Sequence, residues 1–313
     1  MISHRSRRAV VLLLIGPLLG LSGACTSTTA EPPDAAVERG VRTPTAPAFE
    51  RYVALGDSYT AAPLIAGKSS NDGCFRSSNN YPSLVAAELD GTDLDDRSCS
   101  GATTTNMTSR QPNAFGGRPW PAQFRGLTKD TDLVTLGIGG NDFNLFSPRT
   151  GLCPRLRGSD PTGNPCQRTY ASGGSDTLLR DARRIRGRVA AVIRGIRKRA
   201  PEARIVVVDY PRISPTTGTC PRRLPLSDGD YAWAAAVNAQ LSASVRGAAR
   251  QTGAEFVDLY AASGGHDVCS DDPWVNGPKS EPGTALAYHP LAVEQRAVAD
   301  LVLALLDEPI PGG

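Results

Sequence analysis

The chain has 313 residues, 40% of them hydrophobic and 21% charged, and a formal net charge of +3. Arg5, Arg7 and Arg8, at its N-terminus and with no acid among them, account for that whole excess. The remainder is close to neutral, which excludes a general electrostatic case for nucleic acid.

Residues 1–24 read as a signal peptide: basic residues, an apolar stretch from Ala9 to Leu21, then the small residues Ser22, Gly23 and Ala24. The stretch is shorter than the roughly 20 residues a comfortable membrane span requires, and nothing later in the chain is apolar for long enough. Leu21-Ser-Gly-Ala-Cys25 resembles, loosely, a bacterial lipoprotein cleavage box. Lipidation of Cys25 would anchor the protein to the outer face of the cell membrane. Ordinary cleavage after Ala24 would release it instead. Residues 25–48 are rich in Thr, Pro, Ala and Glu without an apolar period, as in a disordered tether. Residues 49–313 suffice for one α/β domain, expected as a monomer.

Tyr52–Leu55 is a short apolar run and reads as a buried strand ending at Gly56-Asp57-Ser58. A helix is expected from Tyr81 to Leu89, with Pro82 near its start, and another from Pro121 to Leu127. Leu133–Ile138 is a second buried strand, bounded by glycine. Thr177–Ala200 is a long helix whose apolar residues recur every three or four positions, opposite a face of nine Arg and Lys. That face reads as solvated surface, or as one drawn to anionic headgroups. The β-branched run Ile205–Val208 is a central strand. Further elements are a helix from Tyr231 to Thr252, a strand at Glu255–Leu259 and a last helix from Leu291 to Leu306, with Pro290 at its start. This alternation predicts a three-layer α/β/α sandwich on a parallel sheet. Long Gly/Pro/Cys-rich loops, about 61–80, 102–119, 143–175, 211–229 and 260–288, read as the walls of a substrate groove.

Seven cysteines are present, six of them in residues 49–313. An even number in an exported chain points to three disulfides, with about 15 pairings open. Nearest-neighbour closure gives Cys74–Cys99, Cys153–Cys166 and Cys220–Cys269. The spacings do not suit zinc, and the cysteines lack paired histidine partners.

Ser58 sits where an open α/β sheet presents its ligands, beyond the carboxyl end of a strand. Leu136-Gly-Ile-Gly-Gly-Asn-Asp142 has the same form, and Tyr288-His-Pro290 lies near the C-terminus. A hydroxyl, an amide donor and an imidazole are the parts acyl transfer needs. The glycine-rich segment is not Gly-x-Gly-x-x-Gly, and no Walker loop or His-Glu-x-x-His is found. The turn at Ser58 also lacks the second glycine of a Gly-x-Ser-x-Gly elbow.

Four segments in order, Gly56-Asp-Ser-Tyr59, Gly101 within Ser98-Cys-Ser-Gly-Ala-Thr103, Gly139-Gly-Asn-Asp142 and His289-Pro290, make the chain resemble the SGNH hydrolases, the GDSL-type esterases and lipases. The resemblance covers nearly all of 49–306. Its cysteine pattern is most similar to a secreted actinomycete esterase branch in which neighbouring cysteines pair. The resemblance implies an SGNH, flavodoxin-like fold and a serine esterase or lipase without metal or organic cofactor. Ser58 would be the nucleophile and His289 the general base. The main-chain N–H groups of Ser58 and Gly101, with the Asn141 amide, would form the oxyanion hole. Asp57 and Asp142 would brace loops.

In one respect the sequence departs from the family pattern. Leu286 stands three residues before His289, where the family usually places an Asp. A Ser-His dyad oriented by the Leu286 main-chain carbonyl is therefore expected, with Asp267, Asp271 or Asp272 as alternative carboxylates. His266 reads as bracing the loop of Cys269. Expected substrates are acyl lipids or short-chain esters. The alternatives are a carbohydrate acetylesterase and a non-catalytic cell-surface binding lipoprotein.

Overall fold

The computed structural model describes residues 49–308 except 71, 114 and 115. The expected leader, the tether and Cys25 lie outside the described residues. Five parallel strands, β1 (Arg51–Gly56), β2 (Asp93–Asp96), β3 (Leu133–Gly137), β4 (Arg204–Val208) and β5 (Glu255–Val257), are arranged in the order β2-β1-β3-β4-β5. That is the flavodoxin-like order, whose direction reverses between β1 and β3. Register is fixed there by pairs such as Val53 with Val134 and Leu55 with Leu136.

Alternation along the strands builds the three layers. Val53, Leu55, Val134, Leu136, Ile205 and Val207 face one side, where they join the core under the Thr177–Arg197 and Asp230–Thr252 helices. Tyr52, Ala54, Leu133, Val206 and Val208 face the other, against the Tyr81–Glu88 and Ala292–Asp307 helices. Thr177–Arg197, the basic helix, starts where the Asp176 carboxylate accepts the Leu179 N–H at 2.9 Å. It buries Ile185, Val189, Ile193 and Ile196 completely, each worth about 1.5–3 kcal/mol. These contacts fix the helix against the strand that leads to Asn141.

β2 and the segment 143–175 depart from the sequence reading. β2 is Asp-Leu-Asp-Asp, a composition poor for strands. It forms at the sheet edge, where Arg51 lies 3.6 Å from Asp93 and 3.5 Å from Asp95 and the exposed Asp93 suits an unpaired edge. The 143–175 segment, expected as loop, holds short helices at Ser147–Thr150, Leu152–Arg157 and Pro165–Tyr170. Cys153–Cys166 joins the last two, and the Asp230 carboxylate accepts the N–H groups of Cys166 and Gln167 at 3.0 and 2.9 Å. The Pro121–Leu127 helix is a 3-10 turn at Gln123–Gly126. Cys74–Cys99 and Cys220–Cys269 complete the nearest-neighbour disulfide pattern. Among the described residues no helix is long and apolar enough to cross a membrane.

Candidate active site

β1 delivers Ser58 to the carboxyl edge of the sheet, at the start of the Ser58–Ala61 helix. Asp57 caps that helix by accepting the Tyr59 N–H at 2.9 Å. β3 delivers Asn141 through Gly139 and Gly140. Gly139 has φ +126°, a conformation side chains rarely adopt. A Cβ on Gly140 would lie 2.1 Å from the Phe146 ring. The two segments flank the point where the strand order reverses.

His289 comes from the turn before the last helix. Its Nε2 lies 2.8 Å from Ser58 Oγ. Its Nδ1 lies 2.8 Å from a main-chain carbonyl, that of Ala287 rather than Leu286. The Leu286 carbonyl is occupied: it closes the turn by accepting the His289 N–H at 3.1 Å and takes the Asn276 amide at 3.2 Å. Tyr288, at φ +58°, swings the chain so that the next carbonyl meets the ring. A carbonyl only accepts, so Nδ1 carries the proton and Nε2 presents its lone pair to the serine. Burial depresses the imidazole pKa, and the Ala287 carbonyl partly offsets that. Tyr59 stacks on the ring at 5.5 Å and donates its hydroxyl to the Tyr288 carbonyl at 2.7 Å.

Asp267, Asp271 and Asp272 lie on the His266 loop. Asp267 accepts the Cys269 N–H at 2.8 Å. His266 stacks on Trp274 at 4.6 Å, with Nδ1 2.8 Å from the Asp272 carbonyl. Among the described residues no carboxylate is hydrogen-bonded to His289.

Ser58, Gly101, Asn141 and His289 line one cavity of about 380 Å³, continued by the apolar side chains of Phe146, Ile213 and Leu224. Gly101 has φ +79°, whereas a Cβ there would meet only Gln111 Nε2, at 3.7 Å. Conformation, not lack of space, therefore demands glycine. Asn141 donates one amide hydrogen to the Ala102 carbonyl at 3.0 Å, which leaves the second for a ligand.

Two buried acids brace these loops. Asp57 accepts the hydroxyl of Tyr210, and that oxygen accepts the Gly140 N–H at 2.8 Å. Burial lifts the Asp57 carboxyl to about 7, despite the hydrogen bonds from Tyr210 and Tyr59. Asp142 accepts the Thr104 N–H and hydroxyl at 2.9 and 2.6 Å, tying the Asn141 loop to the Gly101 loop. Sequence reasoning singled out neither Tyr210 nor Ala287. Tyr210 had a signal, since it follows the buried end of β4. Ala287 had none, because a carbonyl carries no side-chain signature.

The chain and its fold are similar to known proteins. A sequence model described as the GDSL-like Lipase/Acylhydrolase family matches residues 54–293. Lipase 2 of Streptomyces coelicolor is 34% identical over 261 residues, 82% of this chain and 85% of that protein. The crystal structure of phospholipase A1 from Streptomyces albidoflavus superposes with a TM-score of 0.62 at 27% identity, covering 82% of this chain and 99% of the other. That of an extracellular lipase from Streptomyces rimosus gives 0.61 at 28% identity, with 81% and 98% covered.

Proposed function

Because the chain belongs to the GDSL-like lipase/acylhydrolase family, and so is a serine carboxylic ester hydrolase, we propose that Ser58 and His289 perform its chemistry as a dyad. His289 Nε2 takes the hydroxyl proton as Ser58 Oγ attacks the ester carbonyl. The oxygen that gathers charge meets the N–H groups of Ser58 and Gly101 and the free amide hydrogen of Asn141. His289 then passes its proton to the leaving alcohol, which departs and leaves an acyl-serine. Water, deprotonated by the same nitrogen, attacks that ester and restores Ser58.

One observation carries the reading: the 2.8 Å approach of Ser58 Oγ to His289 Nε2 in a cavity that Gly101 and Asn141 also line. Phe146, Ile213 and Leu224 favour an apolar acyl or alcohol chain over a sugar, in keeping with relatives named as lipases. Stoichiometric labelling by a fluorophosphonate, abolished in Ser58→Ala, is expected. Labelling that persists in Ser58→Ala defeats the assignment. Esters of increasing acyl length would then place the substrate among short-chain esters or acyl lipids.

The leader sequence, with the extracellular lipase among the similar structures, supports export. Anchorage through a lipidated Cys25 is the finer reading. Cys25→Ala is expected to move the protein from the membrane fraction to the medium; unchanged partitioning argues for release.

A further inference from the structure

We propose that Arg188, on the basic helix, is a positioning residue for the oxyanion hole, holding Asn141 and Gly101 in register without touching substrate. The inference rests on the roles assigned above to those two residues.

Immediately after Asn141 the backbone is strained. Phe143 and Asn144 both have φ +56°, in the left-handed region, and neither is glycine. Such residues cost roughly 1–3 kcal/mol each and persist only where their surroundings enforce them. Arg188 enforces this turn in two ways. Its Nη1 lies 2.6 Å from Asp142 Oδ1, and the Asp142 side chain is wholly shielded from solvent. Its guanidinium also covers the Phe143 ring at 3.9 Å, with Arg184 over the same ring at 4.3 Å.

Asp142 is the link to the second donor, through its two hydrogen bonds to Thr104. Thr104 follows Gly101 by three residues. A single cation therefore compensates the carboxylate that joins the two loops and covers the ring beside the side-chain donor. Without it Asp142 would be a buried carboxylate with no cation within ion-pair distance among the described residues, and the strained turn would lose part of its cover. Arg194 and Arg197 lie on the same helix but outside this cluster, so the assignment belongs to Arg188 and not to the basic face in general.

The test is a cycle of full-length variants, Arg188→Met, Asn141→Ala and the pair together, assayed on an uncharged short-chain ester with melting followed in parallel. Arg188→Met is expected to lower kcat by about 10- to 100-fold, as misplacement of a catalytic group does, and to leave KM nearly unchanged. In the Asn141→Ala background the same change is expected to lower kcat by several-fold less than it does in wild type, because the part that acts through Asn141 is already lost and only the part through Gly101 remains. Penalties that multiply in full, or a kcat in Arg188→Met within about threefold of wild type, would overturn the role of Arg188. Wild-type turnover in Asn141→Ala would instead remove the assignment of Asn141 itself. Should Arg188→Met fail to fold, Phe143→Leu keeps the ion pair and removes the stacked ring. It is expected to show the same kcat-only loss, and unchanged turnover there overturns the clamp.

Discussion

Glu294 is 1% exposed, at the start of the last helix, and its hydrogen-bond partner is the Gln295 amide at 2.6 Å. Burial without a cation pushes its carboxyl from 4.5 up to about 8, against that hydrogen bond. The folded protein therefore holds the group neutral at pH 7, whereas the unfolded chain ionises it near 4.5. Between those values the folded state binds more protons, so stability is complete below the unfolded value and falls as pH rises through the window. The loss is about 3 kcal/mol at pH 7 and roughly 5 kcal/mol above the folded value. Glu294→Gln keeps the shape and an acceptor for Gln295 and removes the titration. It is expected to unfold like wild type at pH 4, and to be more stable by about 3 kcal/mol at pH 7 and somewhat more at pH 9. The assay is urea unfolding with disulfides intact, read as a midpoint shift at constant slope. Some decline with pH should survive in the variant, because Asp57 and Asp209 are also lifted to about 7 by burial. Curves for the two proteins that run parallel from pH 4 to 9 would refute the reasoning.

In the proposed role His289 must be neutral to accept the serine proton, and burial depresses its pKa below 6.5. The acid limb of kcat/KM should therefore have its midpoint below 6.5, and a pH profile with a higher midpoint contradicts the assignment. Asn141→Ala should lower kcat by about 10²- to 10³-fold; steady-state kinetics on a soluble ester would show it. Asp267→Ala, Asp271→Ala and Asp272→Ala should each keep most of the activity, and a collapse of kcat in one of them restores a triad.

The buried part of the fold was legible because burial writes itself into side chains. β1, β3 and β4 are apolar runs, the basic helix shows its stripe, Ser58 and Asn141 follow β1 and β3, and His289 stands just before the last helix. What escaped was held by groups without a sequence pattern. β2 owes its place to ion pairs with Arg51 and main-chain bonds to β1. The helices of 143–175 depend on a disulfide and on a cap from Asp230, more than sixty residues away. The mistaken carbonyl is the sharpest case. Counting three residues back from His289 reaches Leu286, but the turn spends that oxygen on its own N–H, and the left-handed Tyr288 brings Ala287 to the ring instead.

Replacing a carboxylate by a carbonyl shifts where the barrier must be lowered. The Ala287 carbonyl fixes the tautomer as well as an acid would, because it can only accept. It is a dipole and not a charge, so it stabilises the imidazolium formed during attack less than a carboxylate does. The depressed pKa of His289 points the same way: burial outweighs the carbonyl. In the proposed dyad, proton transfer from Ser58 is accordingly less favourable, and more of the stabilisation must come from the oxygen's side. Here the chain invests its buried polar groups, with Asp57 and Tyr210 behind Gly140, and Asp142 and Thr104, paired with the half-exposed Arg188, behind Asn141 and Gly101. A dyad of this kind should lose more turnover from a loosened oxyanion loop than from any acid on the His266 side, and the Arg188 and Asp272 variants measured side by side put that ordering to the test.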